Sequence, residues 1–576
     1  MELKKFYMGE AFDAYEYFGA HPDENGVTFR TYAPSAHRIT VTGEFNGWTE
    51  EPLEQMGRSG VWTGRSDSAR PGQMYKYCIY GNNGRQEHCD PFGFGMELRP
   101  GASSIIRDLN EYKFTDEEWL AQRTRCYDKP LNIYELHLGS WKKKGDGFLS
   151  YVEIADELVA YLKAHGYNYV EMMPLSEHPF DGSWGYQNTG FFAPTSRYGT
   201  AAELMELIDK CHHAGIGVIM DFVPVHFAVD GYGLKMYDGT PLFEYPHTDV
   251  GASEWGSCNF MHSRREVACF LQSAANYWLK EYHFDGLRMD AVSRLIYWQG
   301  NEYRGQNGEA INFLKKMNRG LHALHPTAML IAEDSTAYPG VTKDVDAGGL
   351  GFDYKWDLGW MHDTLDYLKA HPNDRAGKSK CITFTFFYAH NERYILPFSH
   401  DEVVHGKKTI IDKLCGEYDD KFRQARLLYL YMLSHPGKKL NFMGNELAMF
   451  REWDERREPD WVLLLYPAHS SFRDYMVRLN EVYLSNPALW EGDYRDDGIK
   501  WIDCGSNNEC VFGYLRTSRN NPSVLVLMNF SDKAADISPS VEGSAKLLIS
   551  TSEGYENDSL PKTMPPYSGA MYKVSE

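Results

Sequence analysis

The chain has 576 residues, 43% hydrophobic and 24% charged, a globular composition that excludes a disordered or low-complexity protein. Its length exceeds one core and implies several domains. With 80 acidic against 59 basic side chains and a net charge of -21, nucleic acid and anionic membranes would be repelled, whereas a neutral polymer would not.

Residues 1–19 carry two lysines, Lys4 and Lys5, but no apolar run. Neither a signal peptide nor a membrane span is predicted, and the cytoplasm is the expected location. The 10 cysteines are scattered without CxxC or zinc spacing, so they read as buried reduced thiols. No metal and no cofactor is expected.

From residue 26 to 115, short β-like runs such as Val27–Tyr32 and Tyr75–Tyr80 alternate with the turn signals Asn46-Gly47 and Pro71-Gly72. They predict a small β-sandwich over residues 1–115. The charged stretch from Glu111 to Lys129 then reads as a linker, bounded at 116–130.

From Leu131 the rhythm changes to apolar strands alternating with amphipathic helices, the pattern of repeated βα units. Strands are predicted at Asn132–Leu138, Asn168–Pro174, Gly217–Pro224, Phe284–Asp290, Met329–Glu333, Phe352–Tyr354, Tyr394–His400 and Leu440–Met443. That number closes a (β/α)8 TIM-type barrel over 131–488, with helices such as Ala201–Ala214, Gly308–Leu324 and Ser471–Leu484 around it. His212-His213 reads as a polar helix end before Gly215. Runs such as Val524–Met528 and Lys546–Ser550 predict a C-terminal β-domain over 489–576.

In such a barrel the chemistry sits at the C-terminal ends of the strands. Four strand ends there carry acids: Asp221, Asp290, Glu333 and Asp401. Val218-Ile-Met-Asp221 leads to His226, and Phe284-Asp-Gly-Leu-Arg288-Met-Asp290 points Arg288 and Asp290 to one side by period-two alternation. The arginine is expected to keep Asp290 ionised. Met329-Leu-Ile-Ala-Glu333 delivers a second acid, and Leu396-Pro-Phe-Ser-His400-Asp401 a histidine and a third. Glycoside chemistry needs one protonated carboxyl at the leaving oxygen and one ionised carboxyl at the anomeric carbon. Glu333 and Asp290 fit those two roles.

These four signatures, in this order, resemble those of the α-amylase superfamily, and over nearly the whole length the chain resembles its glycogen branching group. Segments that carry the second likeness include Tyr134-Glu-Leu-His137-Leu-Gly-Ser-Trp141, Phe192–Gly199, Gly348–Trp356 and Asn441–Glu446 with Arg451-Glu-Trp453. The resemblance implies Asp290 as nucleophile, Glu333 as general acid/base and Asp401 as the third acid. It also implies Tyr186, Asp221, His226, Arg288 and His400 in the donor-sugar site, Tyr186 as a ring under the reacting glucose. The implied substrates are α-1,4-glucan donor and acceptor chains, and the implied product an α-1,6 branch. A hydrolase or debranching enzyme shares the layout and the four motifs. A silent glucan-binding protein would have lost a working acid, and all three are present.

Gly43-Glu-Phe45-Asn46-Gly47-Trp48 resembles a glycogen-binding module, with Phe45 and Trp48 equally suited to bracing the sandwich. The chain starts almost directly at that module, so any effect of a longer N-terminal extension on transferred length is expected to be missing. Asp334, Asp357 and Asn445 depart from the residues usual in the group, which are glutamate, asparagine and glycine. None belongs to the catalytic set, so they bear on chain-length preference. Nothing in the sequence sets an oligomeric state, and a monomer suffices.

Overall fold

The computed structural model describes residues 2–541 and 543–575. At its centre eight parallel strands close into a barrel: β1 (Asn132–Leu136), β2 (Tyr169–Met172), β3 (Gly217–Phe222), β4 (Gly286–Met289), β5 (Met329–Ala332), β6 (Tyr354–Trp356), β7 (Tyr394–Phe398) and β8 (Lys438–Phe442). Each overlaps a predicted strand. Only β6 lies two residues later than expected, because Asp353 turns inward as a polar pin, accepting from Leu330 N at 2.7 Å and pairing with Arg125. The strands are buried along their length, as expected for a sheet covered on both faces.

The surrounding helices start where their caps say they should. Ser150 and Thr200 accept from the backbone of Glu153 and Glu203, whose side chains return the bond, so helices Tyr151–Ala164 and Ala201–His213 both begin with a capping box. Asn307 caps Gly308–Leu324 through Ala310 N, which matches the predicted helix at both ends. Asp357 caps Leu358–Lys369 by accepting from Trp360 N at 2.8 Å, a role asparagine fills equally well.

On the N-terminal side, two antiparallel sheets face each other. One contains Gly19–Asp23, Gly26–Tyr32 and Val61–Ser66; the other contains Arg38–Gly43, Met74–Gly81 and Gly84–His88. Phe45 stacks on core Phe29 with ring centroids 5.5 Å apart, whereas Trp48 stays 45% exposed on its turn. The two rings therefore divide the roles: Phe45 braces the sandwich and Trp48 faces solvent. After the barrel, a five-stranded antiparallel sheet runs in the order Ile499–Trp501, Val511–Arg516, Ser523–Asn529, Ser568–Ser575, Ser544–Ser550.

Two readings of the sequence need correction. The charged stretch 111–129 does not hang free. It contains the helix Glu117–Gln122, and Trp119 Nε1 donates to Asp285 Oδ1 at 2.9 Å beneath β4. Nor is His212 a polar helix end. It is buried, with Nδ1 2.7 Å from Asp116 and Nε2 3.0 Å from Asp285, and stacks on Trp119; only His213 faces outward. Burial works against its charge, but the two aspartates outweigh it and lift His212 to about 9. Both misreadings have one cause. The partners of these polar groups lie more than 70 residues away in sequence.

All 10 cysteines are unpaired; eight are buried, while Cys381 and Cys415 are half-buried. Among the described residues no helix is long and apolar enough to cross a membrane, and no group of three or more His, Cys, Asp or Glu is placed to hold a metal ion.

Candidate active site

Arg288 is the hub of the barrel mouth. Register pairs it with Asp221 across β3 and β4, and its Nη1 donates to both Asp221 oxygens at 2.7 and 2.6 Å. The same nitrogen reaches Asp290 Oδ1 at 3.1 Å, while Nη2 lies 2.8 Å from Glu333 Oε2. One buried guanidinium thus grips three carboxylates, and its face packs on Trp356 at 4.3 Å. Glu333 Oε2 also accepts from Ala291 N at 2.9 Å, which ties the end of β5 to the turn after β4.

Sharing changes the electrostatics expected at Asp290. Burial foremost, and the Glu333 carboxyl next, push the Asp290 carboxyl well up, and Arg288 pulls it down without prevailing. The expectation of an aspartate simply held ionised by its arginine is therefore corrected: Arg288 has three carboxylates to satisfy. Asp221 is likewise raised to about 6 by burial despite Arg288. Attack on an anomeric carbon needs the Asp290 carboxyl without its proton, so the charge of Arg288 opposes burial where the reaction requires it.

Across the mouth, His400 Nδ1 lies 2.5 Å from Glu135 Oε1, and the His400 backbone N–H donates to Glu135 Oε2 at 2.9 Å. Burial disfavours its charge, but Glu135 and then Asp401 lift His400 to about 9, so it is a cation at neutral pH. Its Nε2 stands 3.6 Å from Asp401 Oδ1. Burial would raise Asp401, but His400, Lys407 and Arg288 hold it below the usual carboxylate range. Tyr186 stacks on His400 at 5.6 Å, and its hydroxyl lies 2.5 Å from Asp221 Oδ2.

His226 sits beside the same cleft, kept neutral near 3 by burial and then by Arg294. All eight sequence-derived residues therefore converge. Asp221, Asp290, Glu333, Arg288 and Tyr186 form one bonded cluster, His400 joins it through Tyr186, Asp401 stands against His400, and His226 lines the cavity.

That cavity is about 300 Å³. Trp184, Gln187, Trp255 and His405 also line it, and the strand-end rule gave no hint of Trp255. Glu135 was missed as a site residue although its segment was singled out. Glu171, paired in register with Glu135, was missed entirely; burial and then Glu135 push its carboxyl well up. Alternation on β1 and β2 was the available signal. The three departures also find places. Asp334 Oδ2 pairs with buried Lys355 at 2.8 Å, Asp357 is the cap already described, and Asn445 Nδ2 donates to Phe398 O at 3.2 Å behind the site.

Comparison with known proteins bears on the chain as a whole. Residues 17–93 match the model of carbohydrate-binding module 48 (isoamylase N-terminal domain), and residues 144–235 match that of the α-amylase catalytic domain. Among solved structures, a putative α-amylase from Salmonella typhimurium superposes with a TM-score of 0.76 at 17% identity, covering 97% of this chain and 99% of that one. A pullulanase from Bacillus acidopullulyticus gives 0.77 at 16% identity, over 96% and 74%. These share the fold.

Sequence goes further. The chain is 44% identical to the 1,4-α-glucan branching enzyme GlgB of Bacillus caldolyticus, over 93% of this chain and 82% of that protein. It is 44% identical to the GlgB of Fusobacterium nucleatum, over 94% and 89%, and 42% to that of Bacillus subtilis strain 168, over 91% and 86%. Identity of this extent, spanning module, barrel and terminal sheet together, makes the chain a member of the 1,4-α-glucan branching enzyme family within the α-amylase superfamily.

Proposed function

We propose that the protein cuts an internal α-1,4 bond of an α-glucan and passes the cut chain to a 6-hydroxyl, creating an α-1,6 branch in glycogen or a similar polymer. The observation that carries this is the Asp290–Glu333 pair joined through Arg288 at the barrel mouth of a branching-family chain. Two carboxyls on the fork of one guanidinium support the short spacing of retaining enzymes, about 5 Å, over the wider spacing that leaves room for an attacking water.

In the first step an Asp290 oxygen bonds to the anomeric carbon as the bond to the departing O4 breaks, and Glu333 gives its proton to O4. In the second, Glu333 takes the proton of an incoming 6-hydroxyl, whose oxygen bonds to the anomeric carbon and releases Asp290. Asp221, Arg288 and Tyr186 hold the reacting ring together with His400, which stacks on Tyr186, and Asp401, since a cationic imidazole and an ionised carboxylate suit sugar hydroxyls. Residues 1–115 serve as the glucan-binding module, 116–130 as a packed connection, 131–488 as the catalytic barrel and 489–576 as its terminal support. We place the reaction in the cytoplasm, on a neutral glucan that the net charge of -21 does not repel.

Incubation with amylose tests this reading: α-1,6 linkages should accumulate with few new reducing ends. Many reducing ends without branches would mark a hydrolase instead. Asp290→Asn and Glu333→Gln should each lower turnover by a factor of about 10³ or more while glucan binding persists.

A further inference from the structure

The reaction needs two chains, and the residues assigned so far hold only the sugar being attacked. Two aromatic stations flank that sugar. Trp184 stacks on His405 at 5.4 Å and belongs to the connections after β2 and β7. Trp255 belongs to the connection between β3 and β4, beside the nucleophile. Glu333 protonates the departing oxygen and later deprotonates the incoming one, so both chains must lie on its side of the sugar. Trp255 packs on Arg294 of the segment that follows β4, and the same segment bonds to Glu333 through Ala291 N and Val292 N, which puts the Trp255 ring toward that side.

The Trp255 ring is built as a platform. It is 45% exposed at a polar mouth, so part of its face is open to a ligand. Arg294 lies 4.2 Å from its centroid, and His226 packs at 5.0 Å. Arg294 follows Asp290 by four residues, in the short helix Ser293–Ile296, and is itself fixed by Glu254 and by Gln299 Oε1 at 3.0 Å. The backbone is pinned as firmly. Ser253 and Ser257 close the loop through their hydroxyls at 2.6 Å, and Gln187 Nε2 donates to Trp255 O at 3.0 Å. A flat ring, backed by a cation and held in a closed loop, offers its open part to the face of a pyranose.

Resting on the transferase reading above, we propose that Trp255, backed by Arg294, is the acceptor platform: it seats the glucan whose 6-hydroxyl attacks the glycosyl-enzyme and so decides transfer over hydrolysis. Water needs no platform, whereas a chain must be held for its hydroxyl to outcompete water. Removing the ring therefore penalises transfer selectively.

The test compares the intact protein with Trp255→Leu, which keeps bulk but loses the ring, and Trp255→Phe, which keeps a ring. Two ratios are read. One is reducing ends per α-1,6 linkage formed from amylose. The other is transfer to added maltooligosaccharide against hydrolysis of a maltooligosyl fluoride, whose leaving group does not need the platform. Trp255→Leu should raise the first ratio about tenfold and depress transfer about tenfold more than fluoride hydrolysis. Trp255→Phe should recover most of both, and Arg294→Met should shift both the same way to a smaller extent. If every rate in Trp255→Leu falls in parallel with the ratios unchanged, or Trp255→Phe loses fluoride turnover as fully as Trp255→Leu, the ring only braces His226 and the inference is overturned. A wild-type protein that releases reducing ends without branches would overturn the transferase reading, and the platform with it.

Discussion

Glu135 touches no reacting atom in the proposed mechanism, yet it sets the charge of a residue that does. Its carboxylate, 2.5 Å from His400 Nδ1, is the foremost influence lifting that imidazole against burial to about 9. Glu135→Gln keeps the shape and a hydrogen bond but removes the charge. His400 should then lose its proton at lower pH, and the alkaline limb of kcat/KM should move down by about one pH unit or more. A pH–rate profile checks this; an unmoved limb would assign the limb to another group. Single residues of this kind mark where sequence reading stops. The strand-end acids were legible because an apolar run ending in an acid has a direction and an end. Glu135 was visible too, but its partner His400 lies 265 residues away, and only the closing of β1 against β8 beside β7 brings the two together. The charge state of Asp290 was misjudged for a related reason: its neighbour Arg288 was legible, but the other claimants on Arg288 were not.

At the level of elements, the barrel strands and the helix Gly308–Leu324 were predictable because periodicity and caps are local. The segment 111–129 was not, since its high charge reads as solvation until the partners are known. In the fold it is a clasp under the barrel, with His212 as its pin. The ordinary value of 6.5 is raised to about 9 in the folded chain, so the contribution of the ion pairs is complete below pH 6.5 and is lost as pH rises through about 9. The difference is worth on the order of 3 kcal/mol. His212→Ala should lower the unfolding midpoint at pH 6 and flatten its dependence between pH 6.5 and 9. Denaturant melts at a series of pH values measure both, and a variant with the wild-type slope would remove His212 as the source.

For the molecule as a whole, a charged knot joins the barrel to the terminal sheet. Asp493 accepts from Arg516 at 2.7 Å and pairs with Lys438 at 3.0 Å, and all three side chains are fully buried. Lys438 opens β8, and Arg516 closes the strand Val511–Arg516 while also donating to Ser434 O at 2.7 Å. Asp493→Ala leaves two buried cations unpaired and should cost about 3–5 kcal/mol. Thermal unfolding and limited proteolysis near residue 499 should both show it, whereas a shift below about 1 kcal/mol would mean that water readily replaces the carboxylate.

Strand β4 has an acid at each end. Asp285 stands at its foot, held by His212, by Trp119, by Arg123 and by Val218 N at 2.6 Å; Asp290 stands at its head, held by Arg288. They stand five positions apart, about 16 Å of extended chain. Such a short rod moves as one piece, so its lower anchorage sets the height at which the upper carboxylate meets the sugar. The far side of the barrel is therefore a tuning peg: changes at residues 116–123, remote from any glucan, are expected to alter turnover number while leaving substrate affinity as it was.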